Sequence, residues 1–203
     1  MAGIKFFPSG IGGRVLAFAV GGVLGMTPRK LLNLLRCELD KFKRVPRPRS
    51  APFVAVLDVT NHCNLKCPFC PTGSRRDSGR GTGFLDLSVA QRMADELGAY
   101  LVSVKLYNWG EPLLHPRIAD FIRIFRKRRV FTVLSTNLCI ANTRILEDIC
   151  DAGLDYLSVS VSGASQAVYE QYHAGGDIQR VLSNLRHIQA YKRPAARSAP
   201  WSR

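Results

Sequence analysis

The sequence predicts an α/β fold, a partial (β/α) barrel of about four strand–helix units behind an N-terminal helical extension. Two observations predict it. From residue 53 onward, apolar runs rich in β-branched residues alternate with segments of helical period, joined by short loops. Three cysteines, Cys63, Cys67 and Cys70, stand in the loop after the first of those runs, and the carboxyl ends of barrel strands are where such folds place their chemistry. The length allows one domain, since a chain of 203 residues that is 46% hydrophobic buries about 70% of its unfolded surface.

The first fifty residues read as an appendage. Val15 to Met26 is apolar and Gly-rich, but well short of the ~20 residues that span a bilayer. Arg14 interrupts the apolar region that a secretory signal would need after Lys5, which argues against export. Thr27-Pro28 reads as an N-cap followed by proline at the first helical position. In the helix that follows, Leu31, Leu35, Leu39 and Phe42 form one stripe, opposed by Lys30, Lys41, Lys43 and Arg44. That stripe has two readings: a helix packed by it on the barrel, or a basic amphipathic helix touching a membrane surface. Pro46, Pro48 and Pro52 make the linker. The divisions are an extension over 1–50, a core over 51–190, and a basic tail over 191–203 that lacks apolar periodicity and reads as disordered.

Within the core, the candidate strands are Phe53 to Val59, Leu101 to Tyr107, Val130 to Ser135 and Tyr156 to Val161. The candidate helices are Ser88 to Leu97, Pro116 to Arg128, Asn142 to Ala152 and Ile178 to Ala190. Strand-to-helix alternation with short connections means a parallel sheet. Two of its strand ends are polar where a buried strand would stay apolar, Ser135-Thr136-Asn137 and Ser158 to Gly163. Ser135 and Asn137 read equally well as ligand contacts and as caps of the next helix.

The net charge of +14 favours an anionic partner in principle. The excess is scattered, though, over Arg29 to Arg49, Arg75, Arg76 and Arg80, Arg123 to Arg129 and the last dozen residues. Only Phe42, Phe125 and Trp201 fall within those runs, not the interleaved aromatics that a base-stacking surface requires, so solvated basic faces fit better than a nucleic-acid site. Six cysteines are too few for a secreted disulfide scaffold, and a reducing, cytoplasmic setting fits thiols that must stay free.

Three thiols within eight residues make a metal site. A four-iron cluster usually takes four thiolates, so three protein ligands leave one iron open to a substrate or cofactor. Two rival readings exist. Cys67-Pro68-Phe69-Cys70 alone looks like a redox motif at a helix N-terminus, but Pro71, Thr72 and Gly73 argue against that helix and Cys63 goes unexplained. A structural zinc site needs four ligands, usually in two pairs, and there is one C-x2-C pair here. Cys37, Cys139 and Cys150 form no second such pair and read as buried free thiols.

The C-x3-C-x2-C spacing with Phe69 before its last cysteine resembles the signature of the radical S-adenosylmethionine (radical SAM) enzymes. Later loops extend the resemblance in the same order. Trp109-Gly110-Glu111-Pro112 resembles the family's Gly-Gly-Glu-Pro motif, with Trp109 in place of the first glycine. Ser160 matches its SAM-contacting serine, Ser162 stands where an Asp is common, and Gly175-Gly176-Asp177 looks like the run before its next helix, though an N-cap at Asp177 explains that run without a ligand. The resemblance covers residues 53–190. It implies a 4Fe-4S cluster on Cys63, Cys67 and Cys70, and S-adenosyl-L-methionine held near Phe69, Gly110, Glu111, Ser135, Asn137 and Ser160. It also implies an electron donor of flavodoxin or ferredoxin type, and reductive cleavage of SAM to a 5′-deoxyadenosyl radical that takes hydrogen from a peptide or small-molecule substrate. At Gly110 the missing Cβ would let backbone approach the cofactor. Family barrels carry more strand–helix units than this chain supplies, so the chain is expected to hold the N-terminal part, with its fourth strand an open edge. The competing expectation is a non-catalytic iron–sulfur-binding module that needs a partner chain.

Overall fold

The computed structural model describes residues 25–74 and 81–197, with side chains through Lys192. Residues 5–24 of the apolar N-terminal reading, Arg75, Arg76 and Arg80, and the tail from 198 onward lie outside the described residues.

Among the described residues, four strands and six helices follow one another as predicted, with one addition. They are α1 (Pro28–Phe42), β1 (Val54–Val56), α2 (Leu87–Leu97), β2 (Ser103–Lys105), α3 (Ile118–Lys127), β3 (Phe131–Thr136), α4 (Arg144–Asp151), β4 (Tyr156–Val159), α5 (Gln166–Tyr172) and α6 (Ile178–Arg197), with a 3-10 turn at Pro112–Leu114. The pairings between these four strands are all parallel, and among the described residues their order is β1-β2-β3-β4, an open sheet. The helix expected to end at Ala190 runs on to Arg197, so the basic segment after 190 begins inside a helix. Helix α5 has no counterpart in the sequence reading, because seven residues are too few to show a period.

Local chemistry accounts for the element ends. The Thr27 hydroxyl accepts from Lys30 N at 3.3 Å, the Asp86 carboxylate from Ser88 N at 2.7 Å, and Asp177 from Gln179 N and Arg180 N at 2.9 and 3.2 Å, which satisfies amides that a helix start leaves without partners. β1 is shorter than predicted, yet the ladder carries on one residue past it, where Leu57 N donates to Lys105 O at 2.8 Å, and a separate antiparallel bridge between Thr60 and Phe84 brings Leu85 N to Val59 O at 2.9 Å.

Strand alternation puts Val104, Leu134 and Leu157 on one face, buried beneath the helices, with Phe121, Ile122 and Phe125 of α3 fully enclosed against them. The other face carries the register row Val56–Lys105–Val133–Tyr156, and in it Val56 is 55% exposed and Lys105 is exposed. This side, opposite the helices, is the one a complete barrel would enclose. Part of the Arg123 to Arg129 run is paired rather than simply solvated: Arg123 with Asp120, Arg126 with Asp155 and Arg128 with Asp95.

Helix α1 corrects one of the two readings of its stripe. It does dock on the body, but by its polar side. Lys30 is buried, and its ammonium donates to Arg128 O at 3.2 Å and Arg129 O at 2.5 Å, plugging the carbonyl end of α3, where a cation is favoured. Asn33 exchanges two hydrogen bonds of 2.9 Å with Ala51, and Asp40 accepts from Ser50 and Arg49. Arg29 reaches Tyr100 at 2.6 Å. Ala51, Tyr100 and Arg129 all precede strands, so α1 lies across the amino-terminal end of the sheet.

Burial, joined by the neighbouring Arg129 cation, pulls Lys30 down to about 8. A folded pKa below the unfolded value means that the unfolded chain holds more protons between about pH 8 and 10.5, so this group's contribution to stability rises with pH across that window. Lys30→Met is expected to lower stability at neutral pH by about 1–3 kcal/mol by stranding two carbonyls, and to flatten the alkaline rise. Urea melts of both proteins at pH 7.5 and 10 check it.

Candidate active site

The loop carrying Cys63, Cys67 and Cys70 sits at the carboxyl end of β1, opposite α1, and is held from three sides. From the β2 side, Glu111 N donates to His62 O at 2.8 Å. From β3, Asn137 Nδ2 donates to Asn64 Oδ1 at 3.0 Å and stands 3.8 Å from Cys63 Sγ, while Asn64 Nδ2 donates to Cys139 O at 2.7 Å. From the turn before α6, Ala174 O accepts from Lys66 N at 2.9 Å, and His173 Nδ1 stands 3.8 Å from Cys67 Sγ. Leu65 is buried and pins the loop to the core. Within the loop, Ser74 N and its hydroxyl both donate to Cys70 O, at 2.8 and 2.7 Å, and a Cβ at Gly73 would lie 2.8 Å from Cys67 O.

All three thiols are free and half-buried. Burial pushes Cys63 up to about 11, with Glu111 and the other two sulfurs adding to the effect, and burial also raises Cys67. The three sulfurs therefore feel one another, and a metal that binds them must displace protons. Among the described residues no three His, Cys, Asp or Glu side chains converge on a single ion. A cluster does not ask for that, because each thiolate ligates its own iron. Three separated free thiols in a loop pinned on three sides fit such a group.

Glu111 is the hub of the second loop. It is 3% exposed, and its carboxylate accepts from Leu113 N at 3.0 Å, Thr136 Oγ1 at 2.7 Å and Asn137 N at 2.8 Å. Burial raises its pKa against the pull of those three bonds. It ties the loop after β2 to the end of β3. Glu111→Ala is expected to cost about 3 kcal/mol or more by leaving three donors unpaired, read as a lowered denaturation midpoint.

Gly110 packs where nothing larger fits: a Cβ there would overlap the Thr60 carbonyl oxygen, lying 2.6 Å from its carbon and 3.1 Å from His62 O. Asn137 caps its own turn, accepting from Cys139 N at 2.8 Å, as well as bracing Asn64. The Ser135 and Ser160 side chains make no hydrogen bond among the described residues, although Ser160 N donates to Thr136 O at 2.9 Å. Phe69 is 84% exposed and Trp109 48%, so both leave aromatic surface open at this end of the sheet. Ser162, where the family pattern is broken, is bonded to His173 Nε2 at 3.1 Å.

Two residues enter that the sequence reading missed. Asp58 ends the apolar run of β1, with the amides of Trp109 and Gly110 and the Asn108 side chain facing it. Burial raises its pKa, and its Oδ1 is buried with no hydrogen-bond partner. A charge at the end of an apolar strand was the available signal. His173 is stacked on Tyr169 at 4.7 Å beside Cys67, and nothing in the local sequence marks it.

The fold and this loop define a class of protein. Residues 57–198 match the radical SAM superfamily, and the chain belongs to it. Among curated proteins, it is 28% identical over 137 residues to the AdoMet-dependent heme synthase of Methanosarcina barkeri, an alignment covering 67% of this chain and 39% of that protein. It is 24% identical over 145 residues to the PqqA peptide cyclase of Rhodopseudomonas palustris, covering 70% and 38%. The chain thus spans about two fifths of the length of the curated relatives it matches. Among solved structures, Streptococcus suis SuiB bound to precursor peptide SuiA superposes with a TM-score of 0.58 at 17% identity, covering 82% of this chain and 36% of that one, a likeness of fold. Members of this superfamily are enzymes that bind a 4Fe-4S cluster and SAM.

Proposed function

We propose that Cys63, Cys67 and Cys70 of this chain hold a 4Fe-4S cluster with one iron left open for SAM, and that the polar ends of β2, β3 and β4 hold the rest of that cofactor. The observation that carries the reading is the loop itself: three free thiols at the carboxyl end of a parallel sheet, fixed by contacts from Glu111, Asn137 and Ala174. When bound, such a cluster supplies the electron that cleaves SAM to methionine and a 5′-deoxyadenosyl radical able to take hydrogen from a substrate.

The protein's part is to position. Cys63 is braced by Asn137, whose amide points at its sulfur. Hydrogen bonds to cluster sulfurs tune reduction potential. Gly110 and Glu111 set the loop whose carbonyls and remaining carboxylate lone pairs suit an ammonium group, and Asp58 stands behind that loop. Ser135 and Ser160 offer hydroxyls without protein partners to a ribose or carboxylate. Phe69 presents an open ring face to a base. The electron comes from a flavodoxin- or ferredoxin-type donor, and the substrate is a peptide or small molecule, as the names of PqqA peptide cyclase and of SuiB with its precursor peptide suggest.

Dithionite-reduced, cluster-loaded protein is expected to release 5′-deoxyadenosine from SAM, read by liquid chromatography. Ser160→Ala should weaken SAM binding up to about tenfold with iron content unchanged. No 5′-deoxyadenosine from loaded, reduced protein would overturn the enzymatic reading.

A further inference from the structure

Helix α1 turns its apolar side away from the protein. At about 100° per residue, Lys30, Asn33, Cys37 and Asp40 fall on one side, and the hydrogen bonds to Arg128, Arg129, Ala51 and Ser50 fix that side against the body. Leu31, Leu32, Leu35, Leu39 and Phe42 fall on an arc of about 100° centred opposite. They are 51%, 49%, 56%, 55% and 86% exposed. The helix cannot roll to bury them without stranding the buried Lys30 and Asn33. Five large apolar side chains open to water on one short helix mark an interaction surface.

The charges beside the arc say what covers it. Arg36, Lys43 and Arg29, the last also held by Tyr100, border one flank; Glu38, paired with Lys41 at 3.6 Å, borders the other, and the chain continues through Arg44, Arg47 and Arg49. Only Glu38 and Asp40 oppose them over 28–49, and Asp40 is taken up by Ser50 and Arg49. A second copy of this chain would bring the same cations against themselves, in a protein of net charge +14. A strip of leucines edged by lysine and arginine complements an anionic lipid surface, with the apolar side chains among the acyl chains and the cations among the phosphates.

We propose that the outward face of α1 docks this protein flat on an anionic bilayer. The contact is peripheral: among the described residues no helix is long and apolar enough to cross a membrane. Because α1 lies across the amino-terminal end of the sheet and the cysteine loop at the carboxyl end, docking leaves the Cys63–Cys70 loop facing away from the lipid and open to soluble partners.

The test is co-sedimentation of the full chain with phosphatidylcholine vesicles, with and without phosphatidylglycerol. It compares the wild type with the Leu35→Glu, Leu39→Glu double variant and with the Arg36→Glu, Lys43→Glu double variant. All four positions are exposed, so thermal melting should be unchanged. The wild type is expected to bind the anionic vesicles, to bind pure phosphatidylcholine weakly and to be released by salt. Each double variant should partition about tenfold or more weakly. Wild-type binding retained by the leucine variant would overturn the proposal by placing the lipid contact elsewhere in the chain. So would wild-type protein that ignores anionic vesicles, whether it sediments as a monomer or as a dimer that the leucine variant abolishes.

Discussion

Gly110→Ala is expected to unseat the cysteine loop as well as the loop that carries it. The added methyl group would overlap the Thr60 carbonyl oxygen, which is backbone and cannot rotate aside as a side chain can. Either the Thr60–His62 segment or the Gly110–Pro112 segment must move, and the Glu111 N to His62 O bond of 2.8 Å joins the two. The cost is about 3 kcal/mol or more, and Cys63, one residue beyond His62, moves with it. The variant should therefore both melt earlier and retain less iron after reconstitution. The sequence alone assigns the missing Cβ to cofactor approach, which on its own would weaken SAM binding and leave iron intact. Iron analysis beside a thermal melt separates the two: unchanged stability and full iron would show that the packing against Thr60 is dispensable.

The largest effect is expected from the thiols. Cys63→Ala, Cys67→Ala and Cys70→Ala should each abolish the cluster absorbance of anaerobically reconstituted protein, since removing one of three ligands leaves two irons open. Cys150→Ala, which removes a half-buried free thiol at the end of α4, should keep it. Wild-type iron content in a Cys67→Ala protein would remove that residue from the ligand set.

Much of this was legible in the sequence because it is local. The alternation of strands and helices, the Thr27 and Asp177 caps and the three-cysteine spacing all lie within a few residues of themselves. What was hidden depends on residues far apart. His173 stands beside Cys67 from 106 residues away, and Glu111 is satisfied by Thr136 and Asn137 across two strands. Helix α1 shows the limit most clearly. Its amphipathic period announces an apolar face but not which way that face points, and the direction was decided by carbonyls of Ala51, Arg128 and Arg129 that accept from its polar side. Asp58 was visible as a charge in an apolar strand, but its orphaned oxygen appears only once the Trp109–Gly110 loop is folded against it.

The proposed iron–sulfur cluster with a coordination position open to SAM is tested most directly by electron paramagnetic resonance of the reconstituted, dithionite-reduced chain, with iron and sulfide counted on the same sample. About four irons and four sulfides per chain are expected, with a reduced-cluster signal that changes when SAM is added and a change that weakens in the Ser160→Ala protein. Stoichiometric zinc in place of iron, or a cluster signal that SAM leaves untouched, would contradict it.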